Sequence, residues 1–127
     1  MPLRVLVMDD EASVARVIQR LLQRFGHEPT ITVDGAECVR AYREHYEQGK
    51  RFDVVIMDLT VSNGMGGVEA LAQLKEIDAE VKAVASSGYS DNPVMSHPKE
   101  HGFSGVLAKP YELAEMRAML ARVTEGS

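Results

Sequence analysis

The feature that most constrains this chain is an alternation of two kinds of segment. Short apolar runs occur at Val5-Leu6-Val7-Met8, Val54-Val55-Ile56-Met57, Val81 to Ala85 and Val106-Leu107-Ala108. Their length and β-branched content predict strands buried on both faces. Between them lie helical patterns. Val14, Val17, Ile18, Leu21, Leu22 and Phe25 form one apolar stripe at helical spacing, and Leu113, Met116, Leu120 and Val123 form another. Weaker stripes run through Val39, Tyr42 and Tyr46, and through Val68, Leu71 and Leu74. The segment Glu28 to Val33 alternates, is more polar and contains Pro29, which suits an edge strand, where a missing N–H costs least. The sum is β-α repeated five times, without linker, low-complexity stretch or fixed-period repeat. Such alternation predicts a single doubly wound α/β domain: a five-stranded parallel sheet in the order 2-1-3-4-5, with helices on both faces.

A chain of 127 residues fits one domain, assigned here to 1–127. Its net charge of −5 argues against nucleic acid as the main partner, because such binders carry a basic patch. No apolar run approaches the roughly 20 residues of a membrane span, so no membrane contact is expected. The start, Met-Pro-Leu-Arg, lacks an apolar segment of signal-peptide length. Cys38 is the lone cysteine and cannot form an internal disulfide, which fits a reducing cytoplasm; it reads as a half-buried helix residue. His27, His45, His97 and His101 are scattered in polar contexts and read as surface residues. The i, i+4 spacing of the last two is interrupted by Pro98, which weakens a metal-site reading. Met65, Met95, Met116 and Met119 read as packing residues.

In open parallel sheets ligands bind beyond the carboxyl ends of the strands, where the strand order reverses. Asp9, Asp10 and Glu11 follow the first run, and Asp58 follows the run at 54–57. Ser86 and Ser87 follow the next, and Lys109 and Pro110 the last. Each feature alone has an ordinary explanation: acids favour helix N-termini, aspartates and serines populate turns, and Lys-Pro carries little information. Together, at successive strand ends, they describe one small region rich in carboxylates. Two carboxylates about 5 Å apart repel by roughly 3 kcal/mol at an effective dielectric near 20. Unless protons are taken up, a cation belongs among them. Oxygen ligands without His or Cys favour Mg²⁺, which shares its shell readily with phosphate. Metal and lysine together offset the charge of a transferring phosphoryl group, and a central carboxylate can then act as nucleophile.

The set Asp9-Asp10, Asp58, Ser86 and Lys109-Pro110 resembles the receiver domain of two-component response regulators, over a core of about 4–123. The stretches Val7 to Glu11, Met57 to Thr60, Gly64 to Gly67 and Ser86 to Ser90 resemble in style the receivers of hybrid sensor histidine kinases. The resemblance implies a flavodoxin-like (βα)5 fold and a phosphorelay function that is not that of an enzyme acting on other substrates. Asp58 would be the phosphoacceptor, taking its phosphoryl group from a histidine kinase or a histidine phosphotransfer domain. Asp10 would bind Mg²⁺ (or Mn²⁺) directly, Asp9 mainly through water, and the Thr60 backbone carbonyl would add a ligand. Asp58 belongs to the same metal set. Ser86 would be the switch hydroxyl, and Lys109 would pair with the phosphoryl oxygens. The Lys109–Pro110 bond would be cis. An output partner would use the face of the fourth helix, fifth strand and fifth helix.

The pattern departs from the family's usual one in places. Ser62 stands where proline is common, the loop from Asn63 to Gly67 is one residue longer, and Ser87 replaces a small apolar residue. Val106 takes the place of an aromatic that swings on activation in many receivers. Tyr111 matches a usual aromatic position and does not replace it. The fourth helix should be broken: Asp91 or Asn92 can cap it, Pro93 starts it, and Pro98 clashes with a continued helix before Gly102 ends the segment. Two other functions compete. A Mg-dependent phosphatase or phosphotransferase with an Asp nucleophile would need a cap domain or a Gly-rich phosphate loop, and neither is present. A pseudo-receiver, an interaction domain that takes no phosphate, would not need every acidic and basic position filled.

Overall fold

The computed structural model describes residues 2–60, 64–88 and 92–125. Strands β1 (Arg4–Met8), β2 (Glu28–Thr32), β3 (Val54–Asp58), β4 (Ala83–Ser87) and β5 (Gly105–Ala108) alternate with helices. These are α1 (Ala12–Arg24), α2 (Gly35–Glu47), α3 (Gly67–Ile77), α4 (Pro93–Ser96) and α5 (Leu113–Glu125). The strands form one sheet in the order β2-β1-β3-β4-β5, with every neighbouring pair parallel, as the alternation predicts.

Successive strand residues point to opposite faces, and this alternation splits the core in two. Leu6, Met8, Val55, Met57, Ala83 and Ala85 pack with Val39, Tyr42, Leu71 and Leu74 of α2 and α3. Val5, Val7, Val54, Ile56 and Val84 pack with Ile18 and Leu22 of α1 and with Met116, Met119 and Leu120 of α5. The helical stripes read from the sequence are wider than the faces that are buried. Val17, Tyr46, Val68 and Leu113 lie exposed, while Ala15 and Met119 take core positions. Cys38 is fully buried rather than half-buried, and burial pushes its thiol up to about 12. His97 and His101 are exposed, but His27 and His45 are half-buried, and the Leu3 N–H donates to His27 Nδ1.

At the open edge, the Glu28 N–H donates inward to the Leu3 carbonyl, and Pro29 follows it in β2. Far from the strand carboxyl ends, Asp78 is buried and ties three segments together. It accepts from the Tyr42 hydroxyl at 2.7 Å and from the Glu80 N–H at 3.0 Å, and it pairs with Arg51 Nε at 2.6 Å. Helix α4 is one turn long. Asn92 caps it by accepting from the Val94 N–H, Pro93 opens it, and a separate 3₁₀ turn runs from Pro98 to His101. Gly102 ends that turn in the left-handed region at φ 88°. The predicted break at Pro98 is therefore present. Asp91, the alternative cap, lies outside the described residues, as do Ser62 and Asn63, the first residue of the lengthened loop.

Candidate functional site

Sheet register brings the strand ends level. Met8 stands beside Met57, Asp58 beside Ser86 and Ser87 beside Ala108. The residues at and just past those ends, Asp9, Asp58, Ser86 and Lys109, therefore meet although they are far apart in sequence. Two boundaries differ from the sequence reading. Asp58 is the last residue of β3 rather than the first beyond it, and Ser86 and Ser87 close β4 rather than follow it. Both strands are buried throughout, and the ladder extends over residues whose own propensity favours turns. The consequence is that a buried carboxylate and a buried hydroxyl sit side by side on ladder positions.

The lysine is the hub of the charge arrangement. Lys109 Nζ lies 3.0 Å from Asp9 Oδ2 and 3.4 Å from Asp58 Oδ1. Asp9 Oδ1 accepts from the Glu11 N–H at 2.9 Å, so Asp9 also steadies the entrance to α1. Asp58 Oδ1 accepts from the Thr60 N–H at 3.1 Å. The second oxygens, Asp9 Oδ2 and Asp58 Oδ2, are buried with no hydrogen-bond partner, although the former has the ammonium charge beside it. Burial raises the Asp58 carboxyl above its ordinary value, and the Asp9 charge adds to this against the opposing Thr60 N–H and Lys109. For Lys109, burial acts downward, but Asp9 and Asp58 outweigh it and the ammonium titrates above its usual range.

Asp9, Asp10 and Asp58 each offer a carboxylate oxygen within 4.8 Å of the others. Buried carboxylates with orphaned oxygens, close together and served by one lysine, have a shortfall of positive charge. A hard divalent cation with oxygen preference corrects it, so the residues present fit Mg²⁺. Thr60 adjoins this cluster through its backbone. The Lys109–Pro110 bond is cis, as expected.

Backbone packing is close where residues 65–67 meet their neighbours. A Cβ at Gly67 would stand 3.0 Å from the Asp58 carbonyl oxygen, so α3 starts hard against the end of β3. Gly35 donates its N–H to the Met65 carbonyl, and a Cβ there would lie 2.7 Å from the Met65 side chain.

One contact of the site involves a residue to which the sequence reading gave no role. The Tyr111 hydroxyl is 2.7 Å from Ser86 Oγ, and its half-buried ring packs against the α1–α5 side of the core. Burial pushes this phenol up to about 12, so it keeps its proton. The two residues are 25 apart, so no local spacing signals the contact; only the placement of both at adjoining strand ends could have done so. Val106, where many receivers carry an aromatic, is half-buried and packs on the α2–α3 side.

The model of the response regulator receiver domain matches residues 5–121. The chain is 29% identical over 110 residues to the chemotaxis protein CheY of Bacillus subtilis, covering 86% of this chain and 87% of that protein. It is 32% identical over 115 residues to the transcriptional regulatory protein PrrA of Mycobacterium tuberculosis, covering 91% of this chain but 47% of PrrA. The receiver domain of the sensor histidine kinase PA1611 of Pseudomonas aeruginosa, which has a magnesium ion coordinated in its active-site cleft, superposes with a TM-score of 0.84 at 23% identity. Each chain is covered in full.

Proposed function

The chain belongs to the response regulator receiver domain family of two-component systems, and we propose that Asp58 is its phosphoacceptor, with Ser86 the switch hydroxyl and Lys109 the phosphoryl-pairing cation. The observation that carries this reading is the state of Asp58. It is a buried carboxylate at the end of a central strand, with one oxygen held by Thr60 and Lys109 and the other without a hydrogen-bond partner.

The reaction follows from these contacts. Asp58 Oδ2 is the oxygen free of hydrogen bonds and therefore the one suited to attack. An O–P bond forms to Asp58 while the P–N bond of a phosphohistidine donor breaks, its electron pair staying on the imidazole nitrogen. The donor is a histidine kinase or a histidine phosphotransfer domain. Asp9, Asp10, Asp58 and the Thr60 carbonyl would hold Mg²⁺ or Mn²⁺. The metal supplies neutralisation of charge on the phosphoryl oxygens. Lys109, already between Asp9 and Asp58, turns one of its donors to the transferred group. Ser86, level with Asp58 on the next strand, donates a hydrogen bond to it.

The domain so switched, 1–127, acts on a cytoplasmic output partner through the face of α4, β5 and α5. It catalyses its own phosphorylation and dephosphorylation and turns over no separate substrate. Among the described residues no helix is long and apolar enough to cross a membrane. Incubation with Mg²⁺ and a small acyl phosphate, followed by intact-mass measurement, tests the reading. One phosphoryl group should be gained, acid-stable and base-labile, and Asp58→Asn should abolish it. An unmodified wild-type chain would favour the pseudo-receiver, and a phosphorylated Asp58→Asn protein would move the acceptor elsewhere.

A further inference from the structure

Ser86 is the residue that must turn to an incoming phosphoryl group, and in this structure it is already engaged. Its Oγ lies 2.7 Å from the Tyr111 hydroxyl, within the short range for hydroxyl pairs. Ser86 has almost no exposure, so no solvent competes for that contact. Tyr111 reaches it from the segment just past the cis peptide, two residues beyond Lys109. Its ring is set against the α1–α5 half of the core and borders a shallow apolar hollow of about 320 Å³, lined by Val14, Val17, Lys109, Pro110 and Tyr111.

Resting on the phosphoacceptor reading above, we propose that Tyr111 is a positioning residue that holds the Ser86 hydroxyl in its resting direction, and that phosphorylation of Asp58 exchanges this bond for one from Ser86 to the phosphoryl group. Either hydroxyl can be the donor in the resting pair, and a Ser86 Oγ turned toward a phosphoryl group on Asp58 is carried away from Tyr111. A phosphoryl oxygen is a far stronger acceptor than a phenol, because charge-assisted bonds are about twice as strong as neutral ones. The exchange therefore runs toward the phosphoryl group, at the cost of the Tyr111 contact. The phenol, left without its partner in a half-buried position, finds water by turning to the hollow beside Val14 and Val17. In many receivers an aromatic on the fifth strand follows the hydroxyl; Val106 has no ring to move, and Tyr111 couples the same hydroxyl to the opposite, α1–α5 side.

The test uses beryllium fluoride with Mg²⁺, a mimic of the aspartyl phosphate, titrated into the full chain. Tyr111→Phe keeps the ring and removes the restraint. It should bind the mimic about 2- to 10-fold more tightly than wild type, the factor expected of one neutral hydrogen bond. Ser86→Ala and the double variant Ser86→Ala/Tyr111→Phe should bind the mimic equally, since without the Ser86 hydroxyl the phenol has nothing to hold. A merely structural tyrosine would shift both backgrounds alike, and that result overturns the inference. So does a Tyr111→Phe variant that binds unchanged or more weakly, which would make the phenol a bystander or a support. Wild-type protein that takes up no mimic overturns the phosphoacceptor reading itself, and the restraint with it.

Discussion

Asp58 and Ser86 face each other as register partners on β3 and β4, each the residue where its strand meets the site. Side chains of paired residues project to the same face of a sheet, so a group bonded to Asp58 arrives beside the Ser86 hydroxyl. One charge-assisted hydrogen bond is worth about 1.5–3 kcal/mol, or roughly 10- to 150-fold in a two-state balance. Ser86→Ala should take the phosphoryl group at Asp58 yet show that much less conformational response, read from amide shifts with and without the modification. An undiminished response would remove Ser86 from the switch.

The acidic cluster predicts weak, carboxylate-dependent metal binding. Mg²⁺ retains most of its waters, and among the described residues the acidic groups gathered here are the carboxylates of Asp9, Asp10 and Asp58. Titration followed by NMR should move the amides of residues 9, 10 and 58 at millimolar Mg²⁺, and Asp10→Asn should weaken the binding about 10-fold or more. Unmoved site amides up to about 20 mM would count against the site.

Asp58 should cost the metal-free fold stability, and the sign follows from its titration. Burial raises its folded carboxyl above the ordinary value of 3.8. Between that value and the raised one, the folded chain holds a proton that the unfolded chain has lost. Stability from this group is therefore greatest below the window, falls as pH rises through it, and stays low above it. Asp58→Asn should raise Tm at neutral pH without Mg²⁺, by about 4 °C for each 1 kcal/mol relieved. The gain should vanish below the ordinary carboxylate range. Equal melting temperatures at neutral pH would show that Lys109 already compensates the charge.

Asp78 makes the opposite prediction. Asp78→Ala removes the acceptor for the buried Tyr42 hydroxyl and the Glu80 N–H and the partner of Arg51. Arg51 and Glu80 are exposed and can find water, so the loss falls mainly on the orphaned Tyr42 hydroxyl. About 2–3 kcal/mol should be lost in urea unfolding, with phosphoryl uptake unchanged.

The segment from Pro93 to Gly102 should be much less protected than α1. A single helical turn and a 3₁₀ turn hold few backbone bonds, and among residues 93–101 only Val94 is buried. Hydrogen exchange should find its amides open well before those of α1, with a change on phosphorylation. Protection equal to that of α1, unaffected by the modification, would exclude it as the responsive element.

The sequence makes the fold legible where burial is extreme. Continuous apolar runs with β-branched content identified β1 and β3, and Pro29 with the polar alternation identified the edge strand β2. Side-chain periodicity is less informative at the margins of a helix face: Val17 and Leu113 fit an apolar stripe but lie beyond the width that the sheet covers. The carboxyl end of β4 was misread because two serines favour turns in isolation, whereas pairing of Ser86 with Leu107 and of Ser87 with Ala108 holds them in the ladder. At the site, Asp9, Asp58 and Lys109 were legible because each sits at a strand end, and the structure brings them within ion-pair distance. The bond between Tyr111 and Ser86 was not, because it depends on the side-chain directions of a residue at the end of β4 and of one in the segment after β5.

Pro29 has a bearing on how many copies of this domain can live side by side. Along a strand, successive amides point to alternate sides. The Glu28 amide points inward to Leu3, so the next position points outward, and there the chain has a proline ring in place of a donor. A strand from another molecule that tried to extend the sheet at β2 would meet this gap at the first outward-facing position of the strand. The exposed edge thus resists being used as a template. Receivers tethered together on larger proteins or crowded at a signalling centre can collide at this edge without fusing their sheets, and the faces that carry the signal stay available.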